Sequence, residues 1–350
     1  MNRQQLRRGR VLAVSAAASL VLAGVAFTAP PASAAPFAGT LARATSFSTS
    51  GGGCAASSPG VTLPNTPFVA GAPVPLDHSG TSTVGGPTVP DVTALSAAVT
   101  GTAVAHETAG SMTDFDVNGT LAASANRALG AGSACTSNSS VQSLVQGTFT
   151  LATAGVWDFD VSVVGTGLAV AQLQLQRVGG SPAQQVVASI GQNSRNHALV
   201  SLGAGDYVFQ VQVQAVAQGS NAPTAFPPAT NAKFKVRGAF HAFGSAKAAA
   251  AGTAKKYVAL ADGVACGTHS VTADFTNKAG KKPKKGKKPV INKATFFVNG
   301  AKVKSVKKPN KNTLVTLSAI PDDEVTVSAQ LKLGGGKGTV TVERSYLPCS

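Results

Sequence analysis

Alternating apolar side chains over residues 147–163 constrain the fold of this chain more than any other feature. The stretch reads GTFTLATAGVWDFDVSV, with Phe149 and Leu151 before an Ala154-Gly155 break and Trp157 just after it. Side chains two positions apart on a strand share a face. Both runs therefore predict strands with one apolar and one polar face. Because the break lets the chain reverse, we predict a hairpin in the core of a β-sandwich, with Trp157 buried.

The same alternation continues further along the chain. In 169–176 and 206–217, apolar residues alternate with glutamines, which predicts antiparallel strands with one solvated face. Helical periodicity is not sustained beyond the first 34 residues. Charged residues make up 13% of the chain and aromatic residues 5%, while glycine occurs 38 times. This composition is typical of secreted β-proteins with many turns.

Three short motifs in this region resemble a known group of sandwiches. G-x-F-T begins at Gly147, G-x-aromatic-x-F-x-V begins at Gly155, and LGAGDY follows over 202–207. This order resembles the jelly-roll heads of the tumour-necrosis-factor and complement-head type, and is similar to bacterial pre-peptidase-type sandwiches. Trp157 stands where a tyrosine is usual. The resemblance covers about 147–213 and implies a jelly roll or a related sandwich.

Seven short strand candidates follow within residues 256–350. Asn299-Gly300 predicts a two-residue type I′ hairpin, since both positions need positive φ. The chain ends with Arg344 followed by Pro348-Cys349, and this layout resembles immunoglobulin-like modules of exported actinobacterial proteins. The tryptophan found between the cysteines of antibody domains is missing. The resemblance implies an immunoglobulin-like sandwich.

The first 34 residues are typical of a cleaved secretory signal. Arginines open the chain, residues 11–27 are apolar, and Ala32-Ser33-Ala34 offers a small-x-small cleavage site. No later stretch is apolar enough to predict an integral membrane span. We therefore expect a secreted, extracellular protein, either released or held non-covalently at the cell wall.

The predicted fold class is all-β, with two antiparallel β-sandwich domains after the signal peptide. Residues 35–58 are predicted to be a flexible N-terminal segment and 59–243 a jelly-roll-like sandwich. Residues 244–255 form an Ala-rich linker, which could be a helical turn or a loose joint, and 256–350 form the immunoglobulin-like sandwich.

Four cysteines in an exported chain predict two disulfides. Three pairings are formally possible. Pairing Cys54 with Cys135 and Cys266 with Cys349 is the simplest, because any other pairing would tie separate domains together across a flexible joint. No C-x-x-C pair or histidine at ligand spacing favours a zinc site instead.

Positive charge is concentrated in the last part of the chain. Residues 35–240 contain 7 basic and 8 acidic side chains, whereas residues 241–350 contain 19 and 6. A lysine-rich loop over 277–289 predicts a polyanion-binding patch that the next hairpin extends. Its residues are Lys281, Lys282, Lys284, Lys285, Lys287, Lys288, Lys302 and Lys304. Anionic envelope polymers or glycans are the expected partners, and nucleic acid is disfavoured because the loop lacks stacking aromatics. A solubilising loop without a fixed partner is the alternative.

Two Asp-Phe-Asp repeats are the candidate metal ligands. Asp114 and Asp116 share one strand face, and so do Asp158 and Asp160. Such oxygens are possible Ca²⁺ ligands, but neither repeat lies in a Gly-rich ligand loop, so a solvated strand face is the simpler interpretation. No other cofactor is indicated.

Common catalytic motifs are absent from the sequence. There is no G-x-S-x-G elbow, phosphate loop or dinucleotide fingerprint. The leading hypothesis is a secreted, non-enzymatic interaction or surface-associated protein. The alternatives are a carbohydrate-binding accessory protein and a hydrolase with an unrecognised site.

Overall fold

Antiparallel strands make up almost all of the regular structure. The computed structural model describes residues 37–51, 53–85, 93–127, 135–180, 195–220, 226–276, 278–279, 290–335 and 337–350, and the main chain of 184–189. The predicted signal peptide and most of the lysine-rich loop lie outside these residues.

Twenty-one strands and two short 3₁₀ helices, Thr253–Lys256 and Cys266–Thr268, form the described structure. The strands are β1 Ala38–Ser50, β2 Ala55–Ala56, β3 Gly60–Val69, β4 Val74–Pro75, β5 His78–Gly85, β6 Thr93–Thr108, β7 Ser111–Arg127, β8 Thr136–Leu151, β9 Gly155–Thr166, β10 Leu168–Arg177, β11 Gln184–Ser189, β12 Arg195–Leu202, β13 Gly205–Gly219, β14 Ala229–Ala242, β15 Val258–Leu260, β16 Val271–Phe275, β17 Ile291–Val298, β18 Ala301–Lys307, β19 Leu314–Leu317, β20 Val325–Leu333 and β21 Thr339–Tyr346.

Two large sheets form the first sandwich. One has six strands in the order β11-β10-β13-β8-β1-β3, and the other has the order β12-β9-β14-β7-β6-β5-β2, with β4 also paired to β6. All the pairings within these sheets are antiparallel. The prediction of an all-β, antiparallel, sandwich-like fold is confirmed.

The sequence predicted that residues 35–58 form a flexible segment, and this prediction is wrong for most of its length. Its residues 38–50 form β1, which is hydrogen-bonded to β8 on one side and to β3 on the other. The small polar side chains of β1 suit the partly exposed face of a sheet. Leu41 and Phe47 supply the few apolar groups that the inner face needs, and both are buried.

The stretch 147–163 is also not a hairpin. Its two halves belong to β8 and β9, which lie in different sheets, so the chain crosses between the sheets at 152–154. Phe149 and Trp157 therefore face each other across the core, with ring centroids 5.5 Å apart. Alternation alone cannot distinguish a hairpin from such a crossing, because both point their apolar side chains toward the same core.

Trp157 lies at the centre of an aromatic cluster in this core. Its side chain is fully buried, as predicted, and it stacks on Phe115 and Phe159 at 5.8 and 5.6 Å. Gly238 of β14 makes room for these rings. A Cβ atom there would lie 2.4 Å from a Phe115 ring carbon and 2.9 Å from one of Trp157.

The second sandwich contains a three-stranded sheet, β15-β16-β19, and a four-stranded sheet, β18-β17-β20-β21. Asn299 and Gly300 form the predicted hairpin turn, with φ of 48° and 78°. The pairing register then shifts between Phe296 and Phe297, which is a β-bulge in this hairpin. The pairing skips Val303, which is 46% exposed. This sandwich has its own buried cluster, separate from that of the first.

Each half of the chain contains one disulfide. Cys54 is bonded to Cys135, and Cys266 to Cys349, so the prediction of two disulfides is confirmed. Bonds of this kind are typical of proteins that fold in an oxidising compartment.

The Ala-rich segment is part of the second sandwich rather than a free joint. Ala251 exchanges two main-chain hydrogen bonds with Glu343 of β21, and the Arg344 side chain donates to the carbonyl of Ala248. At the junction with the first sandwich, the Ser201 hydroxyl donates to the carbonyl oxygen of Ser350 at 3.1 Å. Among the described residues, no helix is long and apolar enough to cross a membrane.

Candidate anion-binding surface

Lys302 and Lys304 do not belong to one continuous patch. The bulge places Lys302 opposite Phe297 and Lys304 opposite Phe296. Phe296 and Phe297 are consecutive on β17 and point to opposite sides of the sheet, so the two lysines do as well. The Lys304 ammonium donates to the carbonyl of Thr316 on β19, at 2.9 Å. Lys304 is thereby tied to the neighbouring sheet edge, while Lys302 is exposed. The other six lysines predicted for this site lie outside the described residues.

A row of three lysines crosses the outer face of the four-stranded sheet instead. Lys293 of β17 lies directly opposite Lys332 of β20 on one side and Lys307 of β18 on the other. All three are exposed. We call Lys293, Lys307 and Lys332 the lysine row. Neighbouring strands are about 4.8 Å apart, so three positive charges lie side by side over roughly 10 Å.

More basic residues lie at the same end of the sandwich. The Lys308 amide donates to the carbonyl of Asn292 and the Gly334 amide to that of Val290, both at 3.0 Å. These bonds draw the ends of β18 and β20 to the start of β17. Lys337 follows in the β20–β21 turn, and the lysine-rich stretch of the sequence ends at Pro289, directly before Val290. The beginning of β17 is therefore the centre of the basic region.

Three of the six acidic side chains in residues 241–350 cluster at the other end of this sandwich. Asp322, Asp323 and Glu324 directly precede β20, whereas Lys332 lies near its end. Lys332 lies eight positions after Glu324, or about 27 Å along the strand. Glu324 is paired with Lys247 at 3.0 Å. Because the Debye length is about 8 Å at physiological salt, this acidic group does not neutralise the lysine row.

The four candidate metal ligands share the outer face of the larger sheet in the first sandwich. Strand β14 runs between β7 and β9, so Arg237 lies opposite both Asp116 and Asp160. Asp114 and Asp158 occupy the next row, on either side of Ala239. Sheet order thus brings both repeats together, which the sequence did not show.

Each of these carboxylates has a basic partner. His106 pairs with Asp114 at 2.7 Å, and His197 with Asp158 at 2.6 Å.

The other two carboxylates contact Lys235 and Arg195. Lys235 lies 3.7 Å from Asp116, and Arg195 donates two hydrogen bonds of 2.9 Å to Asp160. The hydrogen bonding and charge of Asp160 raise the pKa of Arg195. Within the described ranges, no group of three or more potential metal ligands occurs.

Comparison with known proteins identifies no family. No family model and no curated protein matches the chain. Among solved structures, the adhesin domain of Epf from Streptococcus pyogenes is similar at 11% identity and a TM-score of 0.19. That match covers 67% of this chain and 79% of the adhesin domain. A likeness this distant carries no argument about function.

Proposed function

We propose that this is an exported, non-enzymatic interaction protein whose second sandwich docks on anionic polymers of a cell envelope. The lysine row is the observation that supports this proposal. Like charges directly opposite one another on neighbouring strands destabilise a sheet by a few tenths of a kcal/mol to about 1 kcal/mol each. An anionic polymer lying across the row would remove that repulsion. The docking would need no cofactor.

The chemistry of the surface favours a flexible polyanion over a protein with one fixed carboxylate. Each lysine of the row is a point charge on a flexible stem, without the planar fork that arginine uses for bidentate recognition. The candidates for an exported protein are wall polymers, acidic glycans and lipid headgroups. Nucleic acid is less favoured. Phe297, near Lys302 and only partly exposed, is the one aromatic residue on the described outer face of this sheet.

Strand order supports a finer proposal for both sandwiches. The eight strands from β7 to β14 form the orders β7-β14-β9-β12 and β8-β13-β10-β11, so consecutive strands alternate between sheets up to β10. We propose that this part is a jelly roll, widened at the β7 and β8 edges by β1–β6. The later sandwich, with three and four strands, supports an immunoglobulin-like assignment.

The test compares two variants that each remove two lysines, from different sandwiches. Lys293→Thr/Lys307→Thr removes two members of the lysine row. The control, Lys233→Thr/Lys235→Thr, removes the same charge from β14 of the first sandwich. Retention of each chain on isolated cell envelopes and on polyphosphate-coated beads is measured from 50 mM to 1 M NaCl. A third chain, lacking Gly280–Lys288, tests the contribution of the lysine-rich loop.

We expect the row variant to elute at markedly lower salt than the control, with unfolding free energy equal to or above that of the wild type. Removing like-charge repulsion stabilises the sheet, so weaker binding cannot be attributed to misfolding. Equal elution of the row variant and the control, or retention of the wild type that is independent of salt, would refute docking through this surface.

A further inference from the structure

The outer face of the six-stranded sheet is built from glutamine amides. Three adjacent strands contribute to it: β8, β13 and β10, in that order. Register places Gln210 between Gln146 and Gln174, Gln212 opposite Gln172, and Gln214 opposite Gln142. We call this surface the Gln face, formed by Gln142, Gln146, Gln172, Gln174, Gln210, Gln212 and Gln214. All seven side chains are partly exposed.

The Gln face is uncharged. On the described outward positions of β1, β8, β10 and β13, the one charged residue is Asp206 at the strand end, where it accepts a hydrogen bond from Thr150. The opposite outer face of the same sandwich contains four aspartates with their histidine, lysine and arginine partners. The two solvent-facing sides of this sandwich therefore suit different classes of partner.

Most amides of the Gln face are not used inside the protein. Gln146 donates to Thr40 at 3.3 Å. Within the described residues, the other six make no side-chain hydrogen bond to the chain. Each free amide offers two donor hydrogens and an acceptor oxygen, a combination that also suits hydroxyl groups, which both donate and accept.

A protein partner fits this surface poorly. Stable protein interfaces are centred on buried tryptophan, tyrosine or arginine side chains, and the Gln face contains none. Its apolar members, Val170, Leu144 and Val208, are scattered among the amides.

We propose that the Gln face binds a neutral, linear polysaccharide through these amides. An uncharged polymer is the partner whose charge matches the face, and its repeated hydroxyls match a regular array of free amides. Successive rows of the array lie about 6.7 Å apart along the strands, and neighbours about 4.8 Å apart across them. This regular spacing lets several weak contacts act on one chain, so binding does not need the aromatic platform that the surface lacks. The proposal gives the carbohydrate-binding alternative a surface of its own, independent of the lysine row.

The experiment uses the full secreted chain and insoluble polymers of known composition: chitin, cellulose and a neutral β-1,3-glucan. Sedimentation assays are run in 1 M NaCl, where the Debye length of about 3 Å suppresses attraction by lysines. The Gln-face variant is Gln146→Ala/Gln174→Ala/Gln210→Ala. Its matched control, Thr100→Ala/Asn118→Ala/Thr120→Ala, removes three polar side chains from the other outer face. Thermal unfolding establishes that each chain is folded.

We expect the wild type and the control to bind at least one of these polymers, and the Gln-face variant to bind it at least tenfold more weakly. Gln210→Glu, which keeps the size of the central side chain and adds charge, is expected to weaken binding in the same direction. This single change also serves if the triple variant does not fold. The lysine-row variant should bind neutral polymer as the wild type does. The proposal is overturned if the wild type binds none of the three polymers, or if the Gln210→Glu chain and the Gln-face variant both bind as well as the wild type.

Discussion

Replacing Gly238 with alanine tests the packing around Trp157 most directly. The new methyl group would lie 2.4 and 2.9 Å from two ring carbons of Phe115 and 2.9 Å from one of Trp157. Ordinary contacts are 3.5 Å or more, so at least one ring must move by about 1 Å. Neither ring can turn outward, because both are at most 2% exposed.

The expected loss of stability is about 0.5–4 kcal/mol, the sum of three terms. Overpacking a close-packed core by one methyl group costs about 1–3 kcal/mol. Phe115 also stacks on Phe209 at 5.6 Å, and each displaced aromatic pair adds about 0.5–1.5 kcal/mol. The lower conformational entropy of alanine in the unfolded chain returns about 0.5–1 kcal/mol.

The single tryptophan makes the measurement specific to the first sandwich. Urea unfolding followed by Trp157 fluorescence gives the free energy of unfolding. Gly85→Ala is the matched control, since a Cβ atom there meets nothing within 4 Å and the residue lies in β5 of the same sheet. A Gly238→Ala variant less than 0.5 kcal/mol below the control, with unchanged emission, would refute this account of the core.

Two further predictions concern Tyr346 and the first disulfide. Burial raises the pKa of Tyr346 to about 12, so its stabilising effect is complete below pH 10 and is lost between pH 10 and 12. Raising the pH from 9 to 11 should therefore lower the free energy of unfolding by about 1.4 kcal/mol, because the tyrosine ionises more readily in the unfolded chain. Tyr346→Phe should remove this pH dependence in urea unfolding followed by circular dichroism, and a slope unchanged by the substitution would contradict the assignment. Replacing Cys54 and Cys135 by alanine opens a loop with a sequence separation of 81. This should lower the midpoint of Trp157-detected unfolding by the equivalent of about 4 kcal/mol in the chain-entropy model; a change below about 1 kcal/mol would show that the unfolded chain is already constrained there.

Local pattern was sufficient for most of the strands and their inner faces. Alternation is a property of one strand, so Trp157 could be assigned to the core before its neighbours were known. The Asn299-Gly300 turn is equally local, because two residues of positive φ are enough to define it. The prediction of a flexible segment is wrong for residues 38–50, because their strand is weakly apolar and depends on pairing with both β8 and β3.

The candidate sites depended on relations between strands, which no single segment encodes. A regular hairpin after Asn299-Gly300 would place Lys293 opposite Val306, and the bulge at Val303 moves Lys307 into that position. The Gln face required β8, β13 and β10 to be neighbours, although β9 and the strands β11 and β12 separate them in the chain.

By itself, then, the sequence determined an all-β chain with alternating strands, a buried tryptophan and a basic C-terminal part. Only the tertiary structure decided that residues 147–163 cross between two sheets, and that the lysine row and the Gln face each assemble from three neighbouring strands. The reason is physical: side-chain direction follows from the period of one strand, whereas strand neighbours and register follow from how all the strands share two cores.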